Sequence, residues 1–382
     1  MTDWSRIDKC FEKADCGERV LIAAVGGSIT QGADASLPEN RYVDRIYEWW
    51  CRIFSGTKIE LVNAGIGATT SYFAAARVQE DLLQYRPDLV LVDFAVNDDA
   101  SPIAAETFES LLRRILASES APAVFVLSNV VYDTGTNVQE IQHRIADHYG
   151  IPHWSAKDTL SQEMLSGTAR AEDFCTPDYW IHPNDNGHAK IAEGIIRMLE
   201  GRLAALRADG KTCMNTGGTL QTGVQESNAA RKPLLPSPLI GDAYAYVTQL
   251  TIANASVSLN GFYPDPVEKR GHLDFFHGGW LAWHSGDRLE GEALCSCMGV
   301  RFRETVCQPC PIARFTVTDA ETGEMAAEVI LDPNFGETWG DRPALRPLLH
   351  HAPRRRYRYR AEIIRHHRDD KIPFHLLSVI VG

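Results

Sequence analysis

The chain lacks any apolar run near the roughly 20 residues needed to cross a bilayer. Its first residues, Met-Thr-Asp-Trp-Ser-Arg-Ile-Asp, carry no apolar core of an export signal. Positive charge is scarce as well. The 38 Lys and Arg stand against 50 Asp and Glu, a formal net charge of −12, which offers phosphate backbones no excess of cations. An even set of cysteines is also missing. The nine present are scattered along the chain and predict reduced thiols in place of a disulfide framework. Together these absences predict a cytoplasmic protein with neither a membrane nor a nucleic-acid partner.

One denser cysteine cluster, Cys295-Ser-Cys297 with Cys307-Gln-Pro-Cys310, has the residue types of a zinc site. Its first pair has a single intervening residue, fewer than zinc motifs usually place there. Cys295 and Cys297 would also share one face of a strand, as small core residues do. Buried free thiols are expected, with no metal and no cofactor.

What the chain does have is a buried-strand signal ending in a hydroxyl. Val20–Val25 is continuously apolar, the pattern of a strand covered on both faces. It stops at Gly26-Gly27, where the backbone turns without a Cβ clash, and Ser28 follows. In open α/β sheets, ligands bind at the carboxyl ends of the strands, so Ser28 is a candidate nucleophile.

The rest of the first half alternates. After a leader helix or arm in residues 1–19, helices are predicted over 41–54, from 71 to about 84, and over 107–117, 137–149, 156–165 and 186–205. Further strands are predicted over 58–63, 89–96, 123–128 and 151–155. Such alternation implies βαβ units and a doubly wound parallel sheet. Residues 209–240, rich in Gly, Thr, Ser, Asn and Pro, read as a linker or irregular crossing. Beyond Tyr244 the period becomes two, as in Tyr246–Ile252, Gly299–Val306, Ala313–Asp319, Tyr357–Ile364 and Phe374–Val381, which predicts a β-sandwich. The expected layout is an α/β domain over 1–208, the crossing, and an all-β accessory domain over 241–382. In the basic run 354–360, Tyr357, Tyr359, Ala361 and Ile363 share one strand face and leave the arginines on the solvated one.

Four junctions fall into line: Gly26-Gly27-Ser28, the small-residue loop Gly65–Ala68, Val96-Asn97-Asp98, and Ile181-His182-Pro183-Asn184. The first three end predicted parallel strands and so gather at one edge of the sheet. A serine needs a base within hydrogen-bond reach, which a histidine late in the domain supplies. The anionic intermediate needs donors fixed in advance. The Asn97 amide and backbone N–H groups at Ser28 and in the small-residue loop can provide them.

Gly26-Gly27-Ser28-Ile29-Thr30, Asn63-Ala-Gly-Ile-Gly-Ala-Thr-Thr-Ser71, Pro87-Asp-Leu-Val through Val96-Asn97-Asp98, and His182-Pro-Asn resemble the ordered blocks of the SGNH (GDSL-type) hydrolases over residues 18–205. The resemblance implies a flavodoxin-like three-layer α/β/α sandwich and ester hydrolysis without a metal. It implies Ser28 as nucleophile, His182 as general base, and an oxyanion hole built from Ser28, a loop N–H and Asn97. The family's loop usually has glycine where Ala68 stands, and Gly67 is the neighbouring alternative. The family places an aspartate three residues before the histidine, where this chain has Tyr179. Asp178 lies four before and would complete a triad through a one-residue bulge. Otherwise a main-chain carbonyl would orient His182.

Trp180 is a candidate wall of the substrate pocket or a core residue. Arg77 is a candidate substrate contact or part of a solvated helix face. His188 reads as structural, and Asp98 and Asp99 read as a helix cap in preference to a cation site. Trp280, Trp283 and Trp339 are candidate sugar-stacking residues or core. The expected function is removal of a short acyl group, acetyl in particular, from a carbohydrate or similar polar ester. The alternatives are acyl transfer to a sugar hydroxyl and a non-catalytic carbohydrate-binding or scaffold protein. The β-region is expected to pack on the hydrolase domain and to support a homo-oligomer.

Overall fold

In the computed structural model, which describes residues 2–177, 180–210 and 235–382, the N-terminal alternation folds as α1 (Ser5–Asp15), β1 (Val20–Gly26), α2 (Ser28–Gln31), α3 (Tyr42–Ile53), β2 (Ile59–Gly65), α4 (Ser71–Asp81), β3 (Leu89–Asp93), α5 (Pro102–Leu116), β4 (Ala123–Ser128), α6 (Gln139–His148), β5 (His153–Ser155), α7 (Ala156–Leu165) and α8 (Asp185–Ala208). The five strands form one sheet in the order β2-β1-β3-β4-β5, with every pairing parallel. That is a flavodoxin-like order, and its reversal lies beside β1.

Continuous apolar runs become interior strands because both faces are covered. Val20, Ile22, Ala24, Leu89, Leu91, Phe125 and Leu127 form one core with Phe11 of α1, Trp50 of α3 and Ile195 of α8. The alternate residues Leu21, Ala23, Val25, Val90, Val92, Val124 and Val126 are equally buried. β3 ends three residues earlier than the apolar run does. The N–H groups of Asn97 and Asp98 both donate to the Phe94 carbonyl, curling the chain into a turn.

Two compact units result: Met1–Ser71 with Val78–Gly241, and Tyr72–Arg77 with Asp242–Gly382. Arg77 departs from expectation. It is 1% exposed, so the face read as solvated is interior. Its guanidinium lies 5.4 Å from the centre of the Phe73 ring, one turn earlier on α4. Most of the expected 209–240 crossing lies outside the described residues.

The second unit holds strands β6 (Thr248–Leu250), β7 (Val257–Asn260), β8 (Tyr263–Pro264), β9 (Trp280–Ala282), β10 (Arg288–Cys295), β11 (Met298–Glu304), β12 (Ile312–Asp319), β13 (Met325–Leu331), β14 (Arg342–Leu349), β15 (Arg355–Arg365) and β16 (Phe374–Val381). They form two antiparallel sheets, β13-β12-β15-β10-β7 and β14-β11-β16-β9-β8, with β6 added against β16. The core joins Phe315, Tyr357, Tyr359 and Leu289 of one sheet to Val300, Phe302, Leu376 and Trp280 of the other. On the outer face Arg358 and Arg360 stand opposite Glu292 and Glu290 and pair with them. With Arg355 paired to Asp319, three arginines of the basic run are balanced in place. Cys295, Cys297 and Cys310 are buried and Cys307 is exposed. Among the described residues these four do not gather as a metal-ligand group. Trp280 is buried, whereas Trp283 donates to the Tyr263 hydroxyl at 3.1 Å and Trp339 is exposed.

Candidate active site

Three sheet-edge loops and one helix entrance meet where β1 and β3 end. Gly26 is the last residue of β1, and Ser28 opens the short helix α2, which closes on the left-handed Gly32. As the first helical residue, Ser28 has a backbone N–H with no intrahelical acceptor. Gly27 must lack a side chain, because a Cβ there would lie 2.1 Å from Asn97 Oδ1. The Asn97 carboxamide therefore rests against the residue that precedes the hydroxyl.

His182 arrives from the other end of the domain. Its loop is held by a bridge between Cys175 and Pro183 and by the Asn184 N–H donating to the Phe174 carbonyl at 3.0 Å. Asn184 then caps α8 through the Gly187 N–H. The imidazole Nε2 lies 2.9 Å from Ser28 Oγ across 154 residues of sequence. Burial lowers the His182 pKa, partly opposed by the Asp34 carboxylate, so the ring is held neutral. Asp178 and Tyr179 lie outside the described residues.

α8 also grips the loop that follows the nucleophile. Asp185 accepts the Ser36 N–H at 2.8 Å and the Asn40 amide at 3.0 Å. His188 is fully buried, accepts the Tyr42 N–H at 3.3 Å through Nδ1, and donates from Nε2 to the Ala33 carbonyl at 3.1 Å. Burial pushes its pKa down to about 4, which fits that neutral tautomer.

The loop after β2 runs beside Ser28. A Cβ on Gly67 would sit 3.6 Å from Ser28 Cβ. Of the two loop donors, the Gly67 N–H is already engaged, donating to Gln31 Oε1 at 2.6 Å. The Ala68 N–H has no protein partner among the described residues. Ala68 has φ +55°, the left-handed conformation that glycine adopts most easily, so the alanine holds the glycine conformation at some strain. The loop is pinned by Ile66 N–H to the Gly26 carbonyl and by Thr69 Oγ1 to the Ile66 carbonyl.

One expectation is corrected. Asp98 and Asp99 do not cap the following helix directly, because Ser101 caps α5 by accepting the Ala104 N–H. Asp99 only accepts the Ser101 N–H, and Asp98 reaches elsewhere, to Ser71 and Gln142. Trp180 is half-buried against the main core, its carbonyl accepting the Tyr132 N–H at 2.7 Å. Sequence reasoning missed Gln31, Asp93 and the role of Asp98. Asp93, at the end of β3, accepts Asn129 Nδ2 at 2.7 Å, and burial raises its carboxyl to about 6. Each of these acts through partners remote in sequence, and no local pattern marks them.

A hydroxyl bonded to a neutral imidazole, with an amide and unengaged N–H groups alongside, can carry out acyl transfer through a covalent intermediate. Residues 24–190 match the model of the GDSL-like Lipase/Acylhydrolase family. The whole chain is similar to a two-domain esterase (CEX) active on acetylated mannans, at 35% identity with a TM-score of 0.87, covering 100% of this chain and 95% of that one. An acetylxylan esterase of Geobacillus stearothermophilus is 24% identical over 213 residues, 48% of this chain and 95% of that protein. No helix among the described residues is long and apolar enough to cross a membrane. By the match to its first unit and the full-length likeness to a solved esterase, this chain belongs to the GDSL-like lipase/acylhydrolase family and is a carboxylic ester hydrolase.

Proposed function

We propose that the protein is a serine acetylesterase that deacetylates a polysaccharide, with acetylated mannan the favoured substrate. The observation that carries the mechanism is the 2.9 Å contact between Ser28 Oγ and His182 Nε2. In this reading Ser28 Oγ attacks the acetyl carbonyl while its proton passes to His182 Nε2. The developing oxyanion is held by the Ser28 N–H, the Ala68 N–H and Asn97 Nδ2. Ala68 is favoured over Gly67 because Gln31 already occupies the Gly67 donor. His182 returns the proton to the departing sugar oxygen and then deprotonates the water that releases acetate. Asp178 supplies the carboxylate that stabilises the imidazolium.

Mannan is favoured over xylan because the mannan-active relative is similar along both units, whereas the xylan-active one covers 48% of the chain. The test is acetate release from acetylated manno- and xylo-oligosaccharides. Ser28→Ala should lower kcat by at least about 10⁴-fold and abolish labelling by a fluorophosphonate. Turnover persisting in folded Ser28→Ala refutes the nucleophile. Acetyl appearing on an added sugar acceptor in preference to water would make the protein a transferase.

A further inference from the structure

Asp98 follows Asn97 in the turn that leaves β3, and its side chain is buried. Oδ1 accepts the Ser71 N–H at 2.8 Å and Oδ2 accepts Gln142 Nε2–H at 3.2 Å. Ser71 opens α4 directly after the loop that contains Ala68. The residue before it, Thr70, makes no side-chain cap, so Asp98 satisfies one of that helix's orphan N–H groups from a distant loop. Ser71 is held a second time, its Oγ lying 2.8 Å from Thr107 Oγ1 of α5. Gln142 belongs to α6, and the residue before that helix, Val138, donates its N–H to Ala95 of the Asn97 turn at 2.9 Å. One carboxylate thus joins the Asn97 turn, the start of α4 and α6.

We infer that Asp98 is a positioning residue that holds the Asn97 amide and the Ala68 loop in register, so that their donors converge on one oxyanion. The inference rests on the oxyanion hole proposed above. Asp98 touches no reacting atom and acts through Asn97 and the start of α4. Donors of this kind stabilise a transition state only when fixed beforehand, within about half an ångström of the productive geometry. Among the described residues the acceptor Gln142 Oε1 is buried without a partner. A turn of that amide would present it to a donor at position 98. Asparagine therefore suits the site: its Oδ1 keeps the Ser71 N–H, and its Nδ2–H reaches Gln142 Oε1. Alanine loses both.

The test compares D98A, D98N, Q142L, N97A and the double variant D98A/N97A on p-nitrophenyl acetate, with rates expressed per serine titrated by a fluorophosphonate. D98A should lose about 10- to 100-fold in kcat with KM within about twofold, and D98N should stay within about threefold of the parent. Q142L should lose about three- to tenfold in kcat. In the N97A background, D98A should cost several-fold less than in the parent, because one of the two donors it places is already gone and only the Ala68 loop is left to be displaced. Parental kcat in D98A, or equal losses from D98A in both backgrounds, overturns the inference and leaves Asp98 with a purely structural role. If D98A does not fold, parental kcat in Q142L or a loss in D98N larger than in Q142L overturns it. Parental kcat in N97A instead brings down the oxyanion reading itself.

Discussion

The chemistry of this site turns on one proton acceptor. Burial holds the His182 pKa below its ordinary value of about 6.5, against the pull of Asp34. A base with a lowered pKa is already unprotonated in mildly acidic solution. The acid limb of kcat/KM should therefore have its midpoint below pH 6.5, activity rising with pH through it. Asp34→Asn removes the opposing charge and should move that midpoint lower still. A limb centred at or above pH 6.5 contradicts this account. At this scale the sequence was legible where residue type and local spacing coincide: Gly27, Ser28, Asn97 and His182 stand at chain turns whose chemistry is local. It was illegible for Gln31 and Asp98, whose partners lie 36 and 27 residues away in Gly67 and Ser71. Arg77 was misread because helical spacing gives a face without saying what covers it.

Among the elements, α8 does more than display a histidine at its entrance. Through His188 and Asp185 it fixes the loop that follows Ser28, so the hydroxyl and the imidazole are referred to the same helix. His188→Ala leaves the Tyr42 N–H and the Ala33 carbonyl without these partners, at about 1–3 kcal/mol each. In a unit of this size the sum corresponds to a fall of roughly 4–24 °C in Tm. The fluorophosphonate labelling rate of Ser28 should fall with it. Unchanged melting and labelling would show that α8 does not brace the site. The parallel strands were legible because burial on both faces leaves an unbroken apolar run. α5 begins at Pro102 behind the Ser101 cap, a start signal that apolar periodicity alone passes over. β14 was hidden by Pro343 and Pro347. It is an edge strand, where a missing N–H costs least.

Over the whole molecule, the two units titrate differently in mild acid, and pH should separate their stabilities. In the first unit burial lowers His143 and His188 to about 4 and also lowers His182. Against these, burial raises Asp93 to about 6 and Asp98 to about 7. A histidine with a depressed pKa binds fewer protons folded than unfolded, so its contribution falls as pH drops below about 6.5. A carboxyl with a raised pKa binds more protons folded, so its contribution falls as pH climbs from about 4 towards its folded value. Between about pH 4.5 and 7.5 the two sets oppose each other, the histidines regaining stability over the range in which Asp93 and Asp98 ionise, and the first unit should be nearly flat. The second unit has no such opposition. Burial lowers His375 to about 4, while backbone donors and Arg355 lower Asp319. In Asp265, bonds from Val267 and His277 outweigh the effect of burial, so its pKa falls as well. Moving from pH 7 to 4.5 should cost this unit about 2 kcal/mol through His375 alone. Hydrogen-exchange mass spectrometry of the full chain, corrected for intrinsic rates at each pH, reads both units in one experiment. Peptides of β10, β12 and β15 should lose protection on acidification while those of β1, β3 and β4 hold theirs. His375→Gln should remove most of the difference. Equal loss in both sets, or a difference untouched by that substitution, would show that these buried groups do not govern how the molecule answers to acid.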